Sequence, residues 1–293
     1  MAMQLEQHRR TDSAHGILHH NSKPNEAFLS TSGAAKQSSQ AFLLSGYDEE
    51  QVRLMEESCI VVDANDNPLG AASKKDCHLM TKINDGLLHR AFSVFLFDSE
   101  NRLLLQRRAS EKITFPDMWT NTCCSHPLSV AAEQGDGMTL SSAVQGAKCA
   151  AVRKLLQELG IPTSSLELDS IKFLGRIHYK AASDGLWWEH EIDYILFVKA
   201  DVTIDANPNE VRDWKYVTMS ELESAMNDEN AQSLFTPWFR LICDDTLFQW
   251  WKLLQEDRLD ELRGPSEIRR LRSRTPWEPT WPRRGTLRRG EDY

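Results

Sequence analysis

Two short stretches gather most of the side chains able to do chemistry. The first is Thr120-Asn121-Thr122-Cys123-Cys124-Ser125-His126-Pro127. Residues two apart share a face of an extended chain, so Cys124 and His126 point the same way if this stretch is a strand. A thiol beside a possible metal ligand is a candidate reactive group, because nearby positive charge lowers its pKa. A small buried hydrophobe beside a loop histidine is the plainer alternative. The second stretch is Trp187-Trp188-Glu189-His190-Glu191-Ile192-Asp193-Tyr194, whose pattern is that of a strand. Glu189 and Glu191 then lie on one face about 6.6 Å apart along the chain, a spacing one cation can bridge. A solvent-facing pair of glutamates is the alternative, and the flanking tryptophans favour a pocket.

His78 and His89 each border an apolar segment, a setting in which a lone histidine is usually structural. Taken with His126, Glu189 and Glu191 they make three imidazoles and two carboxylates, a donor set that suits zinc, manganese or magnesium. Basic residues cluster at Lys74-Lys75 and at Arg107-Arg108 with Lys112. In a chain of net charge -9 these are either a solvated face or a local pocket for an anion such as a diphosphate.

These groups need a scaffold, and the hydrophobic pattern supplies one. Cys59–Asp63, Ala91–Phe97, Arg102–Gln106, Ile171–Tyr179, Glu189–Val198 and Trp214–Thr218 read as strands, and Asp48–Met55 as a short helix or extended entry. Ser141–Leu159 reads as a helix. Val144, Ala147, Ala151, Leu155 and Leu159 form its apolar stripe, Gly160 its C-cap, and Pro162 bars continuation. Ser220 is expected to cap a short helix to Met226, and Phe235–Leu254 to form a last amphipathic helix. Strands on both sides of a central helix predict a mixed α/β domain.

Arg153-Lys154-Leu155-Leu156-Gln157-Glu158-Leu159-Gly160-Ile161 resembles the second half of a Nudix box, with Lys154 and Gln157 standing where that pattern has carboxylates. Five further pieces extend the resemblance: Cys77-His78-Leu79-Met80, Leu88-His89-Arg90-Ala91-Phe92-Ser93, Trp119 through Pro127, Trp188 through Tyr194, and Pro237-Trp238-Phe239. Together, over about Tyr47 to Leu271, they resemble the type I isopentenyl-diphosphate isomerases of eukaryotic style.

That resemblance implies a Nudix-like mixed β-sheet sandwich flanked by helices, an α/β (α+β) fold. It implies Cys124 and Glu191 as catalytic groups, and the proton relay that such chemistry needs falls to Tyr179 or a bound water. It implies a divalent metal (Mg2+, Mn2+ or Zn2+) on His78, His89, His126, Glu189 and Glu191, and a diphosphate-bound Mg2+ touched by Glu158. Lys74, Arg108, Lys112 and Ser125 would meet the diphosphate. Tyr179 and Trp238 would line the pocket, with Trp187 or Trp188 as further candidates. A Nudix-type hydrolase and a catalytically silent binding protein are the competing readings.

Residues 1–45, rich in Ser, His, Gln and Asn, are expected to form a disordered lead, 46–271 the isomerase domain, and 272–293, with six arginines and three prolines, a disordered basic tail. The acidic balance argues against a nucleic-acid partner. No run is long and apolar enough to span a bilayer. No secretory signal is evident, so the six cysteines read as reduced thiols and the cytoplasm as the expected compartment, with peroxisomal or organellar targeting left open. A monomer acting on a small diphosphate is the expected assembly.

Overall fold

A computed structural model describes residues 43–262 and 267–271. The expected tail 272–293 and nearly all of the expected lead 1–45 lie outside these, and the fold belongs to the unit that begins at Tyr47.

Helix α1 (Glu49–Leu54) starts where the Asp48 carboxylate accepts the amides of Glu50 and Gln51. Strand β1 (Ser58–Val62) turns back into β2 (Pro68–Ser73) around Asp63, whose carboxylate accepts the Asn65 and Asn67 amides at 2.8 and 2.9 Å. Ser73 caps α2 (Lys74–His78), and α3 (Met80–Asn84) follows. The sequence pattern did not anticipate β2, α2 or α3, because five- and six-residue elements are too short to show a period.

Strand β3 (His89–Phe97) is buried along its whole length, the mark of a central strand covered on both faces. It is followed by β4 (Leu103–Arg108), β5 (Trp119–Thr120), β6 (Cys123–Ser125), the short helix α4 (Ala131–Gln134) and the long helix α5 (Leu140–Leu159). Then come β7 (Lys172–Ala182), β8 (Trp188–Lys199), β9 (Val211–Val217), α6 (Met219–Asn227), α7 (Pro237–Ile242), α8 (Phe248–Gln255) and β10 (Ile268–Arg270). No helix among the described residues is long and apolar enough to cross a membrane.

The path β10-β7-β8-β3-β1-β2 forms the main sheet, with β3 and β8 parallel from His89↔Glu191 to Phe97↔Lys199. Strand β4 touches β3 only at Phe97↔Leu103, then swings away to pair with β9 and β5. The edge of β3 freed by that divergence is taken by β6, at Phe92↔Ser125, Ser93↔Cys124 and Val94↔Cys123. Alternation along the strands sorts the core into two layers. Phe95, Phe97, Ile195 and Phe197 pack with the C-terminal helices, whereas Val94, Leu96, Tyr194 and Leu196 pack with α5. The result is the expected mixed sheet flanked by helices.

Three local expectations are corrected. The cap of α6 is Thr218, not Ser220, because Thr218 and Glu221 form a reciprocal capping box. The last helix is broken into α7, a π-turn at Cys243–Leu247, and α8, and it starts at Pro237, where a missing N–H costs nothing. On α5, Val144 is only partly buried, and the fully buried face runs through Ala147, Ala150, Ala151 and Leu155.

Small residues on that face let α5 approach closely: a Cβ on Gly146 would sit 2.2 Å from the Glu133 carbonyl oxygen. Gly160 ends the helix in the left-handed conformation (φ 63°), and a Cβ there would meet the Asp205 carbonyl oxygen at 2.2 Å. Gly160→Ala should therefore cost about 2 kcal/mol, from strain and displacement of the chain at Asp205. Urea unfolding checks this, and an unchanged midpoint would contradict it.

Candidate active site

Five of the expected residues converge. One donor atom from each of His78, His89, His126, Glu189 and Glu191 lies within 4.8 Å of the others, and all five side chains are buried. His78 arrives at the end of α2, His89 at the start of β3, His126 just after β6, and the glutamates on one face of β8. Glu191 Oε1 lies 3.1 Å from His89 Nε2 and 2.8 Å from His126 Nε2. The three imidazole centroids are 4.8 to 5.0 Å apart.

Several observations fit a cation at this centre. The Nδ1–H of His78 donates to the Lys74 carbonyl at 2.6 Å, which turns its Nε2 lone pair inward, the usual orienting bond of a ligating histidine. That Nε2 lies 2.8 Å from Glu189 Oε2, yet Glu189 Oε2 has no hydrogen-bond partner. Two atoms this close but unaligned are placed as if both faced a third. Burial, then Lys74, lowers the His78 pKa to about 4, and burial holds His126 well below its ordinary value, so both imidazoles are neutral and free to coordinate. Burial, then the nearby Glu191 charge, pushes Glu189 well up, a repulsion that a divalent ion would relieve. The donor set is thus that of a divalent-metal centre with nitrogen and oxygen ligands.

A narrow cavity opens beside this cluster. Cys124, Tyr179, Trp238, Lys74, Arg108, Lys112, Ser125 and Glu158 all line it, so every remaining expected site residue reaches it. A larger surface groove, lined by Lys172, Phe197, Gln255 and Asp260, holds none of them. Tyr179 donates its hydroxyl to Glu191 Oε2. Trp238 is buried, anchored by its Nε1–H to Asn121 Oδ1 at 3.2 Å, with the Arg108 guanidinium 5.7 Å above its ring. Trp187 and Trp188 do not line the cavity. Trp187 is buried with its Nε1–H on Tyr47, and Trp188 packs under Lys180.

The adjacent cysteines face opposite layers. Cys123 points toward α5, 3.6 Å from Glu158, and Cys124 toward the cavity. The lowered thiol pKa expected for Cys124 is reversed: burial, then the charges of Asp193 and Glu191, push it well above its ordinary value. Cys124 is therefore poised in the protonated form.

Beside the basic residues of the cavity lie groups that residue spacing did not reveal. Glu210 is buried and paired with Lys112. Lys154 is buried at 1% exposure, 3.1 Å from the Glu158 carboxylate. Gln106 Nε2 also donates to Glu158, at 3.0 Å. Burial works against all these charges. Lys154 nonetheless stays above its usual range because of Glu158 and Glu210, and Glu210 stays below its own because of Lys112 and Lys154. Burial lowers Lys112 to about 8. Arg108 is tied to the carbonyls of Phe115 and Thr114 at 3.0 and 2.8 Å, which fixes the loop that carries Lys112.

Comparison with known proteins fits this geometry. A family model described as the NUDIX domain matches residues 87–239. The chain is 59% identical over 255 residues to "Isopentenyl-diphosphate delta-isomerase idi1" of Aspergillus fumigatus, covering 84% of this chain and 89% of that protein. It is 63% identical over 206 residues to the isopentenyl-diphosphate delta-isomerase of Schizosaccharomyces pombe (70% and 88%). It is 50% identical over 225 residues to the Bos taurus protein of that name (76% and 96%).

His78→Ala should abolish stoichiometric metal binding by the purified chain, read by elemental analysis, and chelation should lower the Tm of wild type but not of the variant. Equal metal content in the two proteins would count against the cluster. In chelator, acid should destabilise the fold. The unfolded chain protonates His78 near its ordinary 6.5 and the folded chain only near about 4, so stability should fall across that window by up to about 3 kcal/mol. Because the raised Glu189 acts in the opposite sense, the His78 share is read as the difference between wild type and His78→Gln in chelator, and equal pH dependence in the two would contradict the buried neutral imidazole.

Proposed function

The chain belongs to the isopentenyl-diphosphate delta-isomerase family and carries its Nudix domain, and from that premise we propose how its residues convert isopentenyl diphosphate to dimethylallyl diphosphate for isoprenoid biosynthesis. The reaction adds a proton to the terminal carbon of the double bond and removes one from the neighbouring methylene, passing through a tertiary carbocation on the substrate. Two proton-transfer groups must face that carbon chain, and water must be kept out or it would capture the cation.

The observation that carries the reading is that Cys124 and Glu191 reach one cavity from strands on the two sides of β3, and that Lys74, Arg108 and Lys112 line the same cavity. Cys124, protonated, and Glu191, bonded to the Tyr179 hydroxyl, serve as the two groups, and Tyr179 passes a proton to or from Glu191. The faces of Trp238 and Tyr179 stabilise a nearby cation by up to about 2 kcal/mol where water is excluded. Lys74, Arg108, Lys112 and Ser125 hold the diphosphate, and that remote binding positions the reacting carbons.

His78, His89, His126, Glu189 and Glu191 would hold a divalent metal, with Mg2+, Mn2+ and Zn2+ all suited to the donors, and Glu158 would meet a Mg2+ carried on the diphosphate. Such ions supply charge neutralisation at the diphosphate and tune the acidity of Glu191. We further propose a cytoplasmic monomer, and one without a nucleic-acid partner, the last supported by the net charge of -9.

A hydrolase of the Nudix type would need carboxylates where Lys154 and Gln157 stand. The buried Lys154 ammonium, already paired with Glu158, opposes a metal cluster there.

The test is incubation with isopentenyl diphosphate and Mg2+ in deuterated water, followed by proton NMR. Wild type should give deuterated dimethylallyl diphosphate. Cys124→Ala and Glu191→Gln should each lower kcat by at least about 100-fold. Release of phosphate without isomerised product, or full activity of Cys124→Ala, would overturn the reading.

A further inference from the structure

Cys124 has a partner that the proposed chemistry leaves unused. Ser93, at the middle of β3, is fully buried, and its Oγ lies 3.6 Å from Cys124 Sγ on one side. On the other side it lies 2.8 Å from Asp193 Oδ2. The placement follows from register: Ser93 sits directly opposite Cys124 in the β3–β6 ladder, and Asp193 is on the adjoining β8, opposite Ala91. Asp193 is also fully buried, and its Oδ1 has no hydrogen-bond partner among the described residues, so Ser93 is the one side chain bonded to this carboxyl there.

A serine hydroxyl has one hydrogen and can accept two. When Ser93 gives its hydrogen to Asp193, the Cys124 thiol can donate to Oγ. When the hydroxyl turns to donate to the sulfur instead, the contact with Asp193 is kept as a hydrogen bond only if the carboxyl supplies the hydrogen. Either arrangement keeps Sγ in line with Ser93, so the sulfur retains a hydrogen bond in both protonation states through which a proton-transfer group must pass. A free cysteine on a cavity wall would otherwise have other χ1 wells open to it.

We propose that Ser93 is a positioning residue for the isomerisation: its hydroxyl, anchored by Asp193, holds the Cys124 thiol at the cavity wall in the orientation that proton transfer requires. This rests on the assignment of Cys124 as a proton-transfer group.

The premise is checked first, by comparing wild type with Cys124→Ala in the deuterium assay. If wild type is active and Cys124→Ala is not, the Ser93 variants test the inference alone. Threonine and valine have nearly the same shape, and only threonine keeps the hydroxyl. In metal-loaded enzyme, Ser93→Val should have a kcat about 10- to 100-fold below that of Ser93→Thr, at a KM and metal content equal within about twofold, since small misplacements of a reacting group cost that much. Ser93→Ala should resemble valine, although alanine adds no atoms to this packed site. A merely structural role predicts the opposite order, with alanine tolerated and threonine and valine equally impaired, and that result would overturn the proposal. If the added methyl prevents folding of both β-branched variants, Ser93→Ala decides. A kcat at least about tenfold lower at unchanged KM supports the positioning role, and wild-type kcat refutes it.

Discussion

Two carboxylates two residues apart on a buried strand, met by imidazoles and a phenol and by no lysine or arginine among the described residues, set the terms for this fold. Glu189 and Glu191 are almost fully buried, and their neighbours are three imidazoles, two of which burial keeps neutral. Burying two carboxylates side by side is costly: burial works against Glu191 but hydrogen bonds with His126 and His89 hold it well below its ordinary range, and its charge then adds to the burial that pushes Glu189 up. A divalent cation changes the sign of that arrangement. The elements that deliver the histidines are accordingly held by bonds outside the cluster. The His78 Nδ1–H is fixed on the Lys74 carbonyl, α2 is capped by Ser73, and His89 enters on the most buried strand of the sheet.

A second pair of buried carboxylates meets the same problem with lysines. Glu158 and Glu210 are buried too, and Lys154, Lys112 and Gln106 neutralise or bond them. The two pairs are therefore handled differently: Glu189 and Glu191 sit among imidazoles whose donor atoms could hold a metal, whereas Glu158 and Glu210 are held by cationic and amide groups of the protein.

Much of this was legible because strands alternate. The spacing of Glu189 and Glu191, and of Cys124 and His126, implied shared faces, and those faces are the ones that line the site. The resemblance carried by the longer motifs supplied the partners from distant segments, which periodicity cannot join. The same alternation extends one step further, to Asp193 beyond Glu191, and to Ser93 on the face of β3 that begins with His89. That signal was present in the residues but lacked a reason to be read, since an isolated Ser and Asp are ordinary in a strand. Lys154 and Glu210 were less accessible. An i,i+4 Lys–Glu pair normally marks an exposed helix face. Only the packing of α5 against the sheet shows that this pair is buried, and Glu210 reaches Lys112 across 98 residues of chain.

The Cys124 thiol shows why position and acidity cannot be inferred separately. A neighbouring metal ligand suggested a low pKa, yet the groups nearest the sulfur are carboxyls and a hydroxyl, and burial adds to their effect. A thiol raised in this way is a poor nucleophile that keeps its proton, as the proton-transfer role proposed for it requires. The cost is that the sulfur gains no fixed orientation from an ion pair, as a thiolate beside an imidazolium would. Orientation has to come from hydrogen bonding, and β3 provides it by placing a serine directly across the ladder, backed by a carboxyl with no other side-chain partner among the described residues. On this argument the divergence of β4 from β3 is a functional feature of the fold. Without it β6 could not pair with β3, and Cys124 would have neither its place on the cavity wall nor its hydroxyl partner.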